Sequence, residues 1–137
     1  MIKVEIVSGK IYPFSSDDSH RGNGAEVVFN GRVRETERGK KIIALEYEQY
    51  EGMAEPELKS LAEEAAEKFP ITDLLCRHRV GEVPVGEASL HISLWAPHRK
   101  EALDALAWFI SQLKKLVPIW KWAVYEDGTR EVTTHEC

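Results

Sequence analysis

The chain has 137 residues, 43% hydrophobic and 30% charged, with a formal net charge of −5. That length suits one domain with a real core, so residues 1–137 read as a single domain of ordinary globular composition. The acidic balance excludes a general phosphate-backbone binder, which needs a basic field, but leaves room for a small basic pocket.

The opening MIKVEIVSGK lacks the long apolar run of a signal peptide and predicts a first strand. Nowhere does an apolar run reach membrane-spanning length. The two cysteines, Cys76 and Cys137, form neither a metal spacing nor a disulfide framework, which points to a reducing cytoplasm. SSDDSHRGNG, Ser15 to Gly24, predicts a loop, and GAEVVFNGRV after it a strand. RETERGKK is a charged loop. KKIIALEYEQY alternates, with Ile43, Leu45 and Tyr47 on one side and Ala44, Glu46 and Glu48 on the other.

In MAEPELKSLAEEAAEKFP, residues Leu58, Leu61, Ala62, Ala65 and Phe69 keep helical spacing, Pro56 suits the first turn and Pro70 stops the helix. TDLLCRHRVGEV and GEASLHISLWAP predict strands joined by a turn through Pro84–Gly86. The second splits into Ala88, Leu90, Ile92 and Leu94 against Ser89, His91, Ser93 and Trp95. A second helix runs from about Arg99 to Leu116, with Leu103, Leu106, Ile110, Leu113 and Val117 as its stripe, and Pro118 ends it. IWKWAVYEDGTREVTT predicts a hairpin turning near Asp127–Gly128. Strands, helix, strands, helix and hairpin make an α+β pattern, two main helices on an antiparallel or mixed sheet.

The chemistry-bearing candidates cluster around LKKLVPIWKW. Lys114 lies four residues after Ile110 and borders the apolar stripe, whereas Lys115, rotated by about 100°, should point to water. A lysine at a stripe edge commonly lays its stem on the core with its amine in solvent. The alternative is a partly desolvated amine with usable acid/base chemistry. Lys121 alternates with Trp120 and Trp122, and taken singly would face solvent. His98 and Arg99 follow Pro97 at the start of the second helix, where backbone N–H groups and the helix dipole attract anions. The plain reading there is a histidine cap beside a solvated arginine. Arg32 and Arg34 end a strand. His78 and His91 read as satisfied sheet histidines, since no spacing matches a zinc site. No glycine-rich phosphate loop or Ser/His/Asp motif occurs. From residues alone, the chain is an α+β domain with a basic pocket as one option. That pocket would be built by a strand end and both ends of the second helix, for an anionic ligand.

GAEVVFNGRVR, LEYEQYEGMAE, HRVGEVPVGE, APHRKEAL and LKKLVPIWK, in this order and spacing, resemble the large, catalytic subunit family of molybdopterin synthase from about Gly24 to Gly128. The resemblance implies an α/β hammerhead-type fold and a homodimer of large subunits. Each would bind a small ubiquitin-like sulfur-carrier subunit whose C-terminal thiocarboxylate enters the active site. Two sulfurs would pass to cyclic pyranopterin monophosphate, giving the dithiolene of molybdopterin, with no cofactor or metal expected. By motif, Arg34, His98, Arg99, Lys114 and Lys121 correspond to the family's site residues. Lys114 is the first candidate for proton transfer and Lys121 the second, while Arg34, His98 and Arg99 suit the phosphate and pterin. Some of these residues could come from the neighbouring subunit. Two departures stand out: Ala123 where the family commonly has glutamate, and a tail, REVTTHEC, with Glu131 and His135 near the expected tryptophan and arginine. A subunit that binds the ubiquitin-like partner without turnover is therefore the alternative, and a generic anion-binding module the third reading.

Overall fold

The computed structural model describes residues 1–14 and 20–133, so the first part of the predicted loop, His135 and Cys137 lie outside the described residues. In chain order the elements are β1 (Ile2–Val7), β2 (Ala25–Arg32), β3 (Thr36–Glu37), β4 (Lys40–Lys41), β5 (Ala44–Gln49), α1 (Ala54–Lys68), β6 (Asp73–Arg79), β7 (Gly81–Pro84), β8 (Ala88–Ala96), α2 (Arg99–Leu116), β9 (Ile119–Val124) and β10 (Arg130–Thr133). One four-stranded sheet has the order β1-β6-β8-β2 and a second the order β10-β9-β5-β7, with β3-β4 a separate ribbon. The first sheet is mixed, because β1 runs parallel to β6 while β6–β8 and β2–β8 are antiparallel. This is the expected α+β arrangement.

Both helices cover one face of the first sheet, α1 over β1 and β6 and α2 over β2 and β8. Helix α1 carries Glu55 and Glu57 in its first turn and Lys68 in its last, each sign matched to the helix dipole. It buries Leu58, Leu61, Ala62 and Ala65. Helix α2 ends where Val117 turns extended at φ −81° and ψ 125°, because a residue preceding proline disfavours the helical region. Its buried face runs through Ala102, Ala105, Phe109 and Leu113. Leu103, expected in that stripe, is instead 54% exposed. Two alanines let the helix lie close to the sheet, and the contact face rotates toward them by one position.

Strand β8 departs from the predicted two-faced pattern, since Ser89, His91, Ser93 and Trp95 are buried as well as Leu90, Ile92 and Leu94. Phe14 and His20, from the chain between β1 and β2, lie over that second face. The Phe14 ring lies 5.8 Å from His91, and His20 stacks on Trp95 at 4.1 Å. His91 meets the expectation of a satisfied sheet histidine: Nδ1 donates to Asn30 Oδ1 at 2.7 Å and Nε2 accepts from Ser93 Oγ at 3.1 Å.

TDLLCRHRVGEV is two strands rather than one. Gly81, at φ 89°, lets the chain leave β6 of the first sheet and enter β7 of the second. RETERGKK closes as the β3–β4 ribbon, turned by Arg38 at φ 51° and Gly39 at φ 78°. The β9–β10 hairpin turns at Asp127–Gly128 as predicted, with the Thr129 N–H donating to Asp127 Oδ1 at 2.9 Å. Val33, Leu45, Leu90, Leu113, Val117 and Ile119 belong to one buried cluster that joins the two sheets and α2. Among the described residues, no helix is long and apolar enough to cross a membrane.

Candidate functional site: a cationic cavity between the sheets

Where the end of β2, the end of α2 and the inner face of the second sheet meet, they leave a cavity of about 420 Å³. Arg34, Lys114 and Lys121 all line it. Each arrives by a different route. Arg34 follows β2 just after the register shift at Gly31/Arg32. Lys114 stands in the last turn of α2, half-buried, while Lys115 beside it is exposed, as helical rotation requires.

Lys121 is 8% exposed on β9, with Ile119 and Ala123 buried on the same side. Alternation correctly separates it from the tryptophans, but the solvent side is the reverse of the single-residue reading. Trp120 and Trp122 face outward, and the Arg130 guanidinium covers the Trp122 ring at 4.6 Å. That guanidinium is held in turn by Glu46 at 2.7 Å. The outward Trp122 thus gains a cation–π partner while the lysine turns inward.

His98 and Arg99 are not brought to this cavity. Both are exposed at the start of α2. Fifteen helical steps separate Arg99 from Lys114, about 22 Å at 1.5 Å per residue. Among the described residues, this cavity therefore takes its lining from the end of α2 and not from its start. His98 is the N-cap residue at φ −132° and ψ 149°, without a side-chain cap bond, and its carbonyl accepts from Ala102 N at 3.3 Å.

Four lining residues escaped sequence reasoning as site groups: Glu37, Tyr47, His78 and Ser89. Glu37 is 8% exposed and approaches Arg34 at 3.9 Å. Tyr47 sits opposite Lys121 in the β5–β9 register. Its hydroxyl donates to Ser89 Oγ at 3.2 Å, and its ring meets His78 edge-on at 5.4 Å. Burial raises the Tyr47 phenol above its ordinary range; the Ser89 bond pulls it down, and the Glu37 charge pushes it up again. The phenol stays a neutral donor. Cross-strand register was the missing signal, since the alternation of Tyr47 was legible but its pairing with Lys121 was not.

A half-enclosed cavity with four cations (Arg32, Arg34, Lys114 and Lys121) and one carboxylate among its described lining residues suits a small anionic ligand. The fold and this site define an α+β ligand-binding protein of a particular architecture, which known proteins share. The profile of the MoaE protein family matches residues 5–116. The molybdopterin synthase catalytic subunit of Pyrococcus abyssi is 42% identical over 110 residues, 80% of this chain and 74% of that protein. The protein of the same description from Homo sapiens is 40% identical over 114 residues, 83% of this chain and 61% of that one. Among solved structures, molybdopterin synthase from Staphylococcus aureus superposes with a TM-score of 0.81 at 36% identity, covering 96% of each chain. A complex of subunits 1 and 2 of molybdopterin-converting factor from Helicobacter pylori, at 23% identity and a TM-score of 0.74, shares the fold. The chain belongs to the MoaE family, the catalytic subunits of molybdopterin synthase. It is an enzyme subunit of molybdenum cofactor biosynthesis.

Proposed function

We propose that residues 1–137 form one cytoplasmic catalytic domain. It converts cyclic pyranopterin monophosphate to molybdopterin, with sulfur from the thiocarboxylated C-terminus of a small ubiquitin-like subunit. The observation that carries this reading is the convergence of Arg34, Lys114 and Lys121 on one cavity. Substrate phosphate and thiocarboxylate are both anions, and in a site of low dielectric they repel each other unless fixed cations stand between them. The cavity volume of about 420 Å³ lies within the usual range for small-molecule sites.

Roles follow from position. Arg34 has a planar fork and an open mouth position, with its side chain 68% exposed, so it receives the phosphate. Lys114 and Lys121 stand deeper and are the ammonium groups able to give protons to oxygens that depart as sulfur enters.

His98 and Arg99 complete the site from a second copy. Gly24 N donates to Pro97 O, which ties the start of β2 to the start of α2, while the cavity lies at the far ends of both. Strand and helix therefore run side by side in one direction. β2 is an edge strand among the described residues. Antiparallel pairing of two β2 strands about a two-fold axis would reverse one copy against the other. The start of one α2, with His98 and Arg99, would then approach the cavity at the end of the other. The cations left out of the monomer's cavity find their place in a homodimer.

Reconstitution of the dimer with thiocarboxylated small subunit and cyclic precursor tests the reading. The expected result is dithiolene product. Tight partner binding without product would establish the non-catalytic alternative instead.

A further inference from the structure

We infer that Tyr47 is a positioning residue for Lys121, and that its hydroxyl acts through Ser89 to set where that ammonium stands in the cavity. The inference rests on the sulfur-transfer reading above.

Tyr47 and Lys121 are direct cross-strand neighbours on β5 and β9, and both are 8% exposed on the inner face of the second sheet. Opposed residues on one face of an antiparallel pair have Cβ atoms about 5 Å apart, so the ring is a wall for the lysine stem. A lysine carries its charge on four rotatable bonds, and its use in catalysis depends on what confines them. Here the wall is itself anchored. Tyr47 OH donates to Ser89 Oγ at 3.2 Å, and Ser89 Oγ donates to Gly31 O at 3.3 Å. Ser89 is the second residue of β8, and Gly31 stands at the register shift of β2 that precedes Arg34.

The chain of hydroxyls therefore crosses from the second sheet to the first, beside the cavity that Lys121 and Arg34 both line. Lys121 belongs to the second sheet, and Arg34 follows the end of β2 of the first. The direction of the chain is set by chemistry: a backbone carbonyl can only accept, so Ser89 donates to it and must accept from Tyr47. The phenol's protonated state, favoured by burial and by Glu37, keeps that direction. His78, edge-on to the ring at 5.4 Å, closes the other side of the wall.

The test is a mutant cycle in the reconstituted complex, with Tyr47→Phe, Ser89→Ala, Lys121→Ala and their pairs. Tyr47→Phe keeps the ring and removes only the hydroxyl. A misplaced catalytic group loses about tenfold or more in rate, so kcat should fall by that factor with KM within about twofold. Ser89→Ala should give a similar loss, and the Tyr47→Phe/Ser89→Ala pair no more than the larger single loss. In the Lys121→Ala background, Tyr47→Phe should change the rate by less than about twofold, because a residue acting through Lys121 has nothing left to position. An equal loss in wild-type and Lys121→Ala backgrounds would overturn the inference, as would unchanged kcat in both Tyr47→Phe and Ser89→Ala. If Tyr47→Phe fails to fold, Ser89→Ala in the two backgrounds decides by the same comparison. Absence of turnover in the wild type would defeat the functional reading itself, and the inference with it.

Discussion

Replacing Lys121 with methionine removes a positive charge from a nearly closed site while keeping most of the side chain's length. Replacing Lys115 removes the same charge from the exposed surface of α2. The two changes are identical in net charge, so their difference isolates position. A cation 4 Å from an anion is worth about 4 kcal/mol at an effective dielectric of 20, and about 1 kcal/mol in bulk water. At about 1.4 kcal/mol per tenfold, loss of Lys121 should cost on the order of 10³-fold in kcat/KM. Lys115→Met should stay within about twofold, since screening by water and salt leaves it little influence on the cavity. Arg34→Met falls between them, closer to the water limit of about fivefold, because the arginine side chain is 68% exposed. The assay is the initial rate of dithiolene formation with thiocarboxylated partner and precursor at one ionic strength. Equal losses for Lys121→Met and Lys115→Met would refute the claim that burial gives Lys121 its weight.

Three further outcomes follow from the same structure. Phe109→Ala, at a position with no exposed surface, should cost about 3–5 kcal/mol in denaturant unfolding, because α2 and the sheet cannot fully close the void. Gly24→Ala would place its Cβ 2.6 Å from Pro97 O, a clash between backbones, and should lower stability by about 1–3 kcal/mol, whereas Gly22→Ala, with nothing within 4 Å, should be tolerated. His91 is held below its ordinary 6.5 by burial and then by the Arg77 charge. Its neutral form is the native one, so its contribution is complete above pH 6.5 and declines as pH falls through the folded value. Unfolding free energy measured between about pH 7.5 and 5.5 should fall with acidity, and His91→Gln should flatten that slope.

Most of the helical architecture was legible because prolines and apolar residues at helical spacing mark it. Pro56, Pro70 and Pro118 bound α1 and α2, and the 100° step between Lys114 and Lys115 separated a half-buried lysine from an exposed one. The stripe of α2 was misplaced at Leu103 because hydrophobicity favours leucine, while close packing favours the small Ala102 and Ala105. The break at Gly81 and the cover over Ser89, His91, Ser93 and Trp95 were not legible, since both depend on segments distant in sequence. The same limit applies to the site. Alternation told Lys121 from its tryptophan neighbours, but only the β5–β9 register puts Tyr47 beside it and Arg130 outside Trp122. The motif resemblance named five residues without saying which of them one chain can assemble. The rise of α2 alone divides them into Arg34, Lys114 and Lys121 at one end and His98 and Arg99 at the other.

That division makes subunit mixing the most direct measurement. A Lys121→Ala chain and an Arg99→Ala chain, each strongly impaired as its own homodimer, are unfolded together, refolded and assayed with the thiocarboxylated partner. If each site takes Lys121 from one subunit and Arg99 from the other, a mixed dimer carries both lesions in one site and none in the second. Random pairing then restores about a quarter of wild-type activity, half of the dimers being mixed and each holding one intact site. Mixtures that remain as impaired as the two parents would contradict the shared cavity.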